Sequence, residues 1–271
     1  MRGSPDLVLA RRIEAADAAA GVWCREALSR VRPGAGGEIE HLAGGTLAFV
    51  RVGSPLTRVR GIGMAGPLTE GEVDRLERFY TSRGVAPSIP ICPYADASLL
   101  EHLGRRGYAV TAFAHVLVRP IAGTERAPAP PEGVRLTRAE AADEVAWARV
   151  VGQGFGGAED VPEEALEAGR LLFHEPRATC FQAYVDGRLA GGGGMANHDG
   201  LASLFGASTL PNLRRRGVQR ALLEARIAHA AAQGCDLASV VTQPGSASQR
   251  NAERAGFRVV YTRVTVAKIS A

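Results

Sequence analysis

Residues 211–220, which read PNLRRRGVQR, carry the residue types and spacing that most clearly indicate chemistry. Three consecutive arginines precede Gly217, and no acidic residue occurs between Pro211 and Ala221. Guanidinium groups bind phosphate through forked hydrogen bonds, and glycine lets the backbone come close to a ligand. The stretch therefore predicts a phosphate-binding loop, with a solvated basic turn as the plainer interpretation.

Two predicted elements must hold this loop in place. A strand over residues 201–209 leads into it, and an amphipathic helix begins after Gly217 and stops at Gly234. The N-terminus of a helix offers unpaired N–H groups and partial positive charge, which suit phosphate oxygens. The apolar residues that recur at helical spacing are Val218, Ala221, Leu222, Ala225, Ala228 and Ala232.

The wider pattern predicts two domains. Residues 120–133 contain four prolines, which favour an extended linker, so we expect domains at 1–120 and 133–271 with a linker at 121–132. The second domain has the predicted order strand, two helices, three strands, helix, strand, helix, strand, which is a mixed α/β arrangement. The first half echoes part of it, because LLEHLGRRGYAV resembles QRNAERAGFRVV; this favours a diverged internal duplication.

The loop and its context resemble the acetyl-CoA motif of the GNAT superfamily of acetyltransferases, Q/R-x-x-G-x-G/A after V-x-P. Thr209-Leu210-Pro211 stands at V-x-P, Arg214 and Gly217 match, and Gln219 departs from the final Gly or Ala. The resemblance implies that the strand edge pairs with the pantetheine arm of CoA and that the loop holds its pyrophosphate. The implied contacts are Ala207, Ser208, Thr209, Arg214, Arg215, Arg216, Gly217, Val218, Gln219, Arg220, Ser248 and Asn251.

The same resemblance implies a fold and a function. The fold would be a mixed α/β (α+β) GNAT-like one, with a central, mostly antiparallel mixed sheet flanked by helices, in tandem with a degenerate N-terminal copy. The function would be transfer of an acetyl group from acetyl-CoA to an amine of a small molecule or an amino-acid-like acceptor. A non-catalytic acetyl-CoA sensor or interaction module shares the loop and stays open as the alternative.

The catalytic groups are less well defined by the sequence. In the family a tyrosine on the last helix often serves as acid, and Ala252 stands at that position. Tyr261 is the nearest tyrosine and is either that acid or an ordinary strand aromatic. Asn251 either hydrogen-bonds the pantetheine or thiol, or stabilises a helix end. The strand over residues 201–209 carries no acid, so it supplies no base.

Other polar residues have plainer interpretations. His198 and Asp199 are expected in a hairpin turn. Asp160, Glu163 and Glu164 either attract an amine or act as electrostatic caps of a helix. Arg58–Gly63 (RVRGIG) matches the CoA motif literally, but we reject it as a second site. The next helix is expected to begin only at Thr69, with Glu70 and Glu72 in its first turn, so the glycines would lie within a strand.

Bulk properties narrow the class of protein. The chain has 271 residues, a net charge of +4 and a pI near 9.1, with basic residues scattered among acids, so we expect no nucleic-acid partner. No segment is apolar enough to span a bilayer and no secretory leader is visible, so we expect a cytoplasmic monomer or homodimer without a membrane partner. The four cysteines are expected to be buried free thiols, and no metal site is expected.

Overall fold

The computed structural model describes residues 5–268. Within them the chain forms two compact units, one made of the residues up to Val116 together with those from Val259 onward, the other spanning Leu117–Arg258. The linker predicted at residues 121–132 stays a prediction. The last strand differs from the predicted division, because its residues Val264–Ala267 pair with Ile91–Ser88 of the first unit instead of completing the second.

The first unit is built from a long helix, a small sheet and a second group of strands. The elements are α1 Pro5–Val31, β1 Glu38–Leu42, β2 Gly45–Phe49, β3 Arg58–Arg60, α2 Glu70–Thr81, β4 Ser88–Ile91, α3 Ala97–Arg105, β5 Tyr108–Pro120, which runs on into the second unit, and β11 Arg258–Lys268. Strands β1, β2 and β3 form an antiparallel sheet, and β11 lies between β4 and β5.

The second unit contains five neighbouring strands in the order β10 (Leu237–Thr242), β9 (Leu201–Thr209), β8 (Arg188–His198), β7 (Ala178–Val185) and β6 (Val134–Arg138). Strands β6 to β9 are antiparallel neighbours, whereas β9 and β10 are parallel. The mixed, mostly antiparallel sheet flanked by helices confirms the predicted fold class. The elements are β6 Val134–Arg138, α4 Glu144–Gly156, α5 Glu163–Phe173, β7 Ala178–Val185, β8 Arg188–His198, β9 Leu201–Thr209, α6 Val218–Ala232, β10 Leu237–Thr242 and α7 Ala247–Arg254.

The local echo between the two halves is confirmed by backbone geometry. Helix α3 is followed by Gly107 at φ +78° and the buried Tyr108, and α7 by Gly256 at φ +86° and the buried Phe257. Glycine ends both helices because a left-handed residue there costs it little. The order β1-β2-β3-α2-β4-α3-β5 of the first half also repeats β7-β8-β9-α6-β10-α7-β11 of the second.

Three further observations concern the described residues as a whole. All four cysteines are buried free thiols, as the sequence predicts. Between residues 5 and 268, no three histidine, cysteine or acidic side chains converge into a potential metal site. No helix in that range combines the length and apolarity needed to cross a membrane.

Candidate functional site

The basic loop connects β9 to α6 through an unusual backbone path. A short 3-10 turn at Pro211–Leu213 follows the strand, then Arg215 at φ +63° and Gly217 at φ +78° adopt left-handed conformations. Helix α6 starts at Val218 without any side-chain cap, and its first backbone acceptor, the Gly217 carbonyl, takes the N–H of Ala221 at 3.0 Å. The N–H groups of Val218, Gln219 and Arg220 therefore have no helical acceptor and point out of the helix start, which is an anion-binding geometry.

The arginines of the loop divide into two kinds. Arg214 donates from Nε to the Thr209 carbonyl (3.2 Å) and from Nη2 to the Gly154 carbonyl (2.9 Å), so it ties the loop to β9 and α4. Arg216 is exposed and pairs with Asp186 at 3.0 Å, and the exposed Arg220 pairs with Glu224 at 2.8 Å. Exposed pairs of this kind contribute little to stability, so both guanidiniums can turn to an anion at small cost.

Arg215 is the arginine whose side chain is not committed elsewhere. It is exposed, and within residues 5–268 its guanidinium makes no hydrogen bond or ion pair. Its left-handed backbone is rarely adopted by a residue that has a Cβ atom. The rare backbone conformation and the uncommitted side chain make Arg215 a candidate contact of a ligand.

Gln219, which departs from the family motif, has a structural reason to be there. Its Nε2 donates to Thr209 Oγ1 at 2.8 Å and so fastens the first turn of α6 to the end of β9. Gly217 is confined from the other side, since a Cβ atom at this position would lie 2.6 Å from Cγ of Pro131. The loop is thus clamped between its strand and the proline-rich segment.

The strand before the loop is bulged and splayed. Gly192 pairs with Ser208 and Gly194 with Phe205, so β9 carries one extra residue around Gly206, whose φ is +61°. The parallel pairing of β9 with β10 extends from Leu237 opposite Leu201 to Val240 opposite Leu204. Beyond Leu204 no further β9–β10 pairs occur among the described residues, which leaves the backbone edge of Ala207–Thr209 on that side unpaired, apart from the Thr209 carbonyl that accepts from Arg214.

A buried cation lies beneath the bulge. Arg226 of α6 donates from Nη1 to the carbonyls of Gly194 (3.1 Å) and Phe205 (3.4 Å), and its side chain is almost fully buried. Burial lowers the pKa of Arg226 to about 10. Arg226 was not among the residues predicted from the sequence; the signal was an arginine within the apolar face of α6, where Leu222 and Ala230 are also buried.

That apolar face differs from the one predicted. Val218, Ala221 and Leu222 are buried as expected, but Ala232 is exposed and Ala225 and Ala228 are only half-buried. The buried residues in the second half of α6 are instead Arg226, Ile227, Ala230 and Ala231. The physical reason is that a close-packed helix buries a face wider than one row of alanines, and here that face includes a charged residue.

Tyr261 lies in the first unit, and its hydroxyl is already engaged there. It donates to Glu14 Oε1 at 2.7 Å, and Arg263 Nε donates to the same oxygen at 2.8 Å. Burial and the Glu14 carboxylate raise the pKa of the Tyr261 phenol, which makes it a poorer proton donor. The acid role inferred from sequence therefore gains no support from geometry, and we assign Tyr261 to this buried hydrogen-bond cluster.

The two predicted cofactor contacts on α7, Ser248 and Asn251, differ in their exposure. Ser248 is exposed, whereas Asn251 is half-buried and its Oδ1 accepts a hydrogen bond from Arg254. Ala252, at the position of the family's tyrosine, is buried in the core with Phe257 and Leu222. No phenol can therefore act from this turn of α7, because the position is filled by a methyl group that packs against the core.

The remaining polar predictions are mostly confirmed. Asp199 (φ +50°) and Gly200 (φ +83°) form the hairpin turn between β8 and β9, and Glu163 and Glu164 occupy the first turn of α5. His198 is different from its prediction. It is the last residue of β8 rather than part of the turn, and its buried Nε2 lies 3.2 Å from Glu175 Oε1.

The literal second motif does not form a comparable loop. Gly61 (φ +63°) and Gly63 (φ +80°) lie in turns after β3, not within a strand as predicted, and α2 begins only at Glu70. Its N-terminus is closed by a capping box, in which Glu72 accepts from the Thr69 N–H at 2.7 Å and Thr69 accepts from the Glu72 N–H. A carboxylate thus occupies the place that a phosphate would need.

Comparison with known proteins agrees with this geometry. The model of the Acetyltransferase (GNAT) family matches residues 146–257. No curated protein sequence matches the chain. A GCN5-related N-acetyltransferase from Kribbella flavida superposes with a TM-score of 0.64 at 17% identity, over 93% of this chain and 97% of its own.

Two further structures share the fold. A tandem GNAT protein from the clavulanic acid biosynthesis pathway has a TM-score of 0.59 at 14% identity, over 90% of this chain and 86% of its own. A GCN5-related N-acetyltransferase from Sphaerobacter thermophilus has a TM-score of 0.58 at 20% identity, over 73% and 66%. The segment of this chain from residue 146 to residue 257 is therefore a domain of the acetyltransferase (GNAT) family.

Proposed function

We propose that the chain transfers an acetyl group from acetyl-CoA to an amine of a small molecule or an amino-acid-like acceptor. One observation carries the proposal: an uncapped helix start with two left-handed loop residues follows a bulged strand whose edge is open. This combination offers a phosphate site and an extended amide-pairing edge side by side. The family match over residues 146–257 supports the same reaction class.

The residues present fit acetyl-CoA as a substrate. The N–H groups of Val218–Arg220 and the guanidinium of Arg215 would hold the pyrophosphate, with Arg216 and Arg220 adding charge. The open backbone of Ala207–Thr209 would pair with the amides of the pantetheine arm. The thioester supplies an activated acetyl group, and what the chain adds is binding and orientation.

The bulge is where the chain can stabilise developing negative charge. A bulge leaves backbone N–H groups outside the ladder, and such groups polarise a carbonyl when they are fixed in advance. Arg226 holds the Phe205 carbonyl on the α6 side and places a buried positive charge beneath the bulge. A cation with little competing water stabilises negative charge more strongly than an exposed one does.

Proton transfer must proceed without a dedicated acid or base on these elements. Strand β9 has no acidic residue, and Ala252 replaces the family's tyrosine. Holding two reactants together can supply much of a rate enhancement without such groups, with water carrying the proton. Asp160, Glu163 and Glu164, at the connection of α4 and α5, would attract a cationic amine.

The test combines binding and turnover. We expect calorimetry to show CoA binding, and thiol release from acetyl-CoA to depend on an amine chosen from a panel of amino acids, polyamines and amino sugars. A triple variant, Arg214→Ala with Arg215→Ala and Arg216→Ala, should lose both signals. Binding without turnover across the panel would favour the non-catalytic sensor, and a wild-type protein that binds no CoA would overturn the proposal.

A further inference from the structure

A polar cavity of the second unit lies at the end of the sheet away from the phosphate loop. Its volume is about 630 Å³, a size that suits a small molecule, and its lining includes Gly200, directly before β9, and Gln233, directly after α6. The phosphate loop joins the opposite ends of these two elements, between Thr209 and Val218. The length of β9 separates the two places by roughly 25 Å. The cavity is therefore distinct from the proposed CoA site.

The charged side chains that line the cavity carry an excess of positive charge. They are two arginines, Arg138 at the end of β6 and Arg177 just before β7, and one acid, Asp199. Arg138 is exposed, and its guanidinium makes no hydrogen bond or ion pair with any residue from 5 to 268. Arg177 lies 3.6 Å from Asp199, and both side chains are exposed, so this pair is weak. Both guanidiniums can therefore turn to an anion at small cost.

An amide donor lines the cavity together with the two arginines. The Oδ1 atom of Asn197 accepts the N–H of Gly200 at 3.0 Å, which fixes the orientation of the side-chain amide. The NH2 group of this amide has no acceptor among residues 5–268. Carboxylate and phosphate oxygens accept from guanidinium and amide donors alike. The lining therefore offers three side-chain donors of the kind that bind an anion.

The C-terminus of α6 opposes an anion only weakly, although a helix C-terminus carries partial negative charge. Its last carbonyls accept the N–H groups of Gln233, Gly234 and Cys235, so they are satisfied. The charge of Arg138 acts on this turn as well, because burial and then Arg138 lower the pKa of His229. The His229 ring is thus neutral at pH 7, and its Nε2 accepts from the Gln233 amide at 3.1 Å. His229 is consequently a spectroscopic reporter of the charge in the cavity.

We propose that this cavity binds a small polar molecule with a carboxylate or phosphate group, held by Arg138, Arg177 and the amide of Asn197. The volume leaves room for a molecule larger than a single inorganic ion. The bulge at Gly206, where the acetyl group would lie under the proposed function, is roughly 20 Å along β9 from Gly200. The bound molecule is therefore a separate ligand and not the acetyl acceptor.

The experiment titrates the full-length chain with citrate, succinate and inorganic phosphate, and with glycerol as the uncharged control. Calorimetry measures affinity and stoichiometry, and proton NMR follows the imidazole signals of His229, assigned by their loss in His229→Gln. The titrations are repeated with the combined Arg214→Ala, Arg215→Ala and Arg216→Ala variant, which removes the arginines of the phosphate loop. We expect at least one anion to bind at one site per chain in this triple variant. It should also raise the pKa of His229, because it offsets the charge of Arg138.

Two variants test whether the anion binds in the cavity. Arg138→Gln with Arg177→Gln should weaken its binding about tenfold or more, because charge-assisted hydrogen bonds are lost. Asn197→Asp keeps an acceptor for the hydrogen bond of the turn and adds a negative charge, so it should weaken binding as well. The matched control is Arg149→Gln with Arg188→Gln, which removes the same net charge from exposed positions outside the lining and should leave the affinity unchanged.

Carboxylates that bind where phosphate does not would identify a carboxylate ligand, and the reverse would identify a phosphate; either result supports the proposal. Equal losses in the cavity double variant and its matched control would overturn it, because they would indicate a general effect of charge. Binding that disappears in the triple variant, or no binding of any of the three anions, would also overturn it. The cavity double variant should keep the melting temperature and the CoA affinity of the wild type, so a negative result here leaves the proposed function in place.

Discussion

At the scale of single residues, the three adjacent arginines of the loop do different work. Arg214 is a structural tether to the carbonyls of Thr209 and Gly154, Arg216 shares an exposed pair with Asp186, and Arg215 is uncommitted. Their sequence positions differ by one, but the left-handed turn at Arg215 sends neighbouring side chains in different directions. The three arginines therefore cannot all be treated alike as phosphate ligands.

Substitution of these arginines should separate binding from stability. Arg215→Ala should weaken CoA about threefold to tenfold, because a charge-assisted hydrogen bond is lost, and should leave the melting temperature unchanged. Arg214→Ala should weaken CoA and also lower the free energy of unfolding by about 1 kcal/mol, since two backbone acceptors lose their donor. Calorimetry and urea unfolding measure the two effects.

The control for this comparison is Arg149→Ala, which removes an exposed arginine of α4 that makes no ion pair within the described residues. It should change neither CoA affinity nor stability. Equal behaviour of Arg215→Ala and Arg149→Ala would show that Arg215 does not reach the ligand.

The sequence was sufficient to predict the loop but not the partners of its side chains. Consecutive arginines, Gly217 and the following helical pattern are local signals, and the structure has the loop and the helix start where they were expected. The contact of Arg214 with Gly154 joins residues 60 positions apart, and the bond of Gln219 to Thr209 depends on the curvature of the strand end. Such contacts are set by packing, which periodicity does not encode.

At the scale of elements, the glycines of strand β8 allow neighbouring backbone and side chains to pack closely against it. A Cβ atom at Gly191 would lie 2.3 Å from the Ser208 carbonyl oxygen, and one at Gly194 would lie 2.3 Å from the Phe205 ring. At Gly193 the nearest atoms belong to the Arg226 guanidinium, at 3.3 Å. Glycine within a strand weakens it but permits such close approaches, and here they shape β9 next to the bulge.

The destabilisation caused by an alanine substitution in β8 should therefore depend on whether the new Cβ atom meets backbone or a side chain. Gly191→Ala should lower the free energy of unfolding by about 2 kcal/mol or more and weaken CoA binding, because the backbone at Ser208 has to shift. Gly193→Ala should cost about 1 kcal/mol or less, since a side chain gives way more easily. Urea unfolding of the two variants in parallel is the measurement, and a larger loss for Gly193→Ala would contradict it.

Helices α4 and α5 are joined by a carboxylate whose charge should matter for stability. Glu144 accepts hydrogen bonds from Arg170 and, at 2.9 Å, from His174 Nε2. Burial by itself would raise the pKa of Glu144, but these hydrogen bonds outweigh it and lower the pKa. A carboxyl whose pKa is lowered in the folded state stabilises the protein above its unfolded pKa, and this stability is lost as the pH falls through the folded pKa.

Glu144→Gln should consequently destabilise the protein by about 1 kcal/mol at pH 7, a value discounted because Arg170 is partly exposed. The difference from wild type should shrink as the pH falls below about 4, where the unfolded carboxyl is already protonated. Glu101→Gln, at an exposed position of α3, is the matched control and should show no such dependence. A constant difference between pH 7 and pH 3 would rule out the charge as its cause.

Element types were predictable where periodicity was strong, and less so elsewhere. The strands and helices of the second unit follow the predicted order, but helix α1 over residues 5–31 was not predicted from the sequence. Its buried residues Ala10, Ile13, Cys24 and Leu28 do fall on one helical face. However, alanines occur on both faces, so the difference in hydrophobicity between the buried and the exposed face is small. The pairing of β11 with β4 was not predictable either, because the residue pattern of a strand does not show which other strand it pairs with.

At the scale of the whole molecule, the two halves repeat an order of elements but differ at the helix start that we propose as the phosphate site. In the second half the helix after the third strand, α6, begins uncapped at Val218, directly after Gly217. In the first half the corresponding helix, α2, begins seven residues after Gly63, and Thr69 and Glu72 close its N-terminus. The repeated order of elements thus contains one uncapped helix start and one helix start closed by a capping box.

The chain should therefore bind one CoA molecule, not two. The backbone hydrogen bond and then the side-chain hydrogen bond from Thr69 lower the pKa of Glu72 and outweigh the opposite effect of burial, so the carboxylate stays charged at the α2 start at neutral pH. Such a charge repels phosphate, whereas α6 has no acid in its first turn. Calorimetric titration and native mass spectrometry should give one CoA per chain, and the combined Arg214→Ala, Arg215→Ala and Arg216→Ala variant should lose that one site without revealing another. Two equal sites, or one site that survives the triple variant, would place the ligand elsewhere and remove the basis for assigning the loop of the second half as the phosphate site.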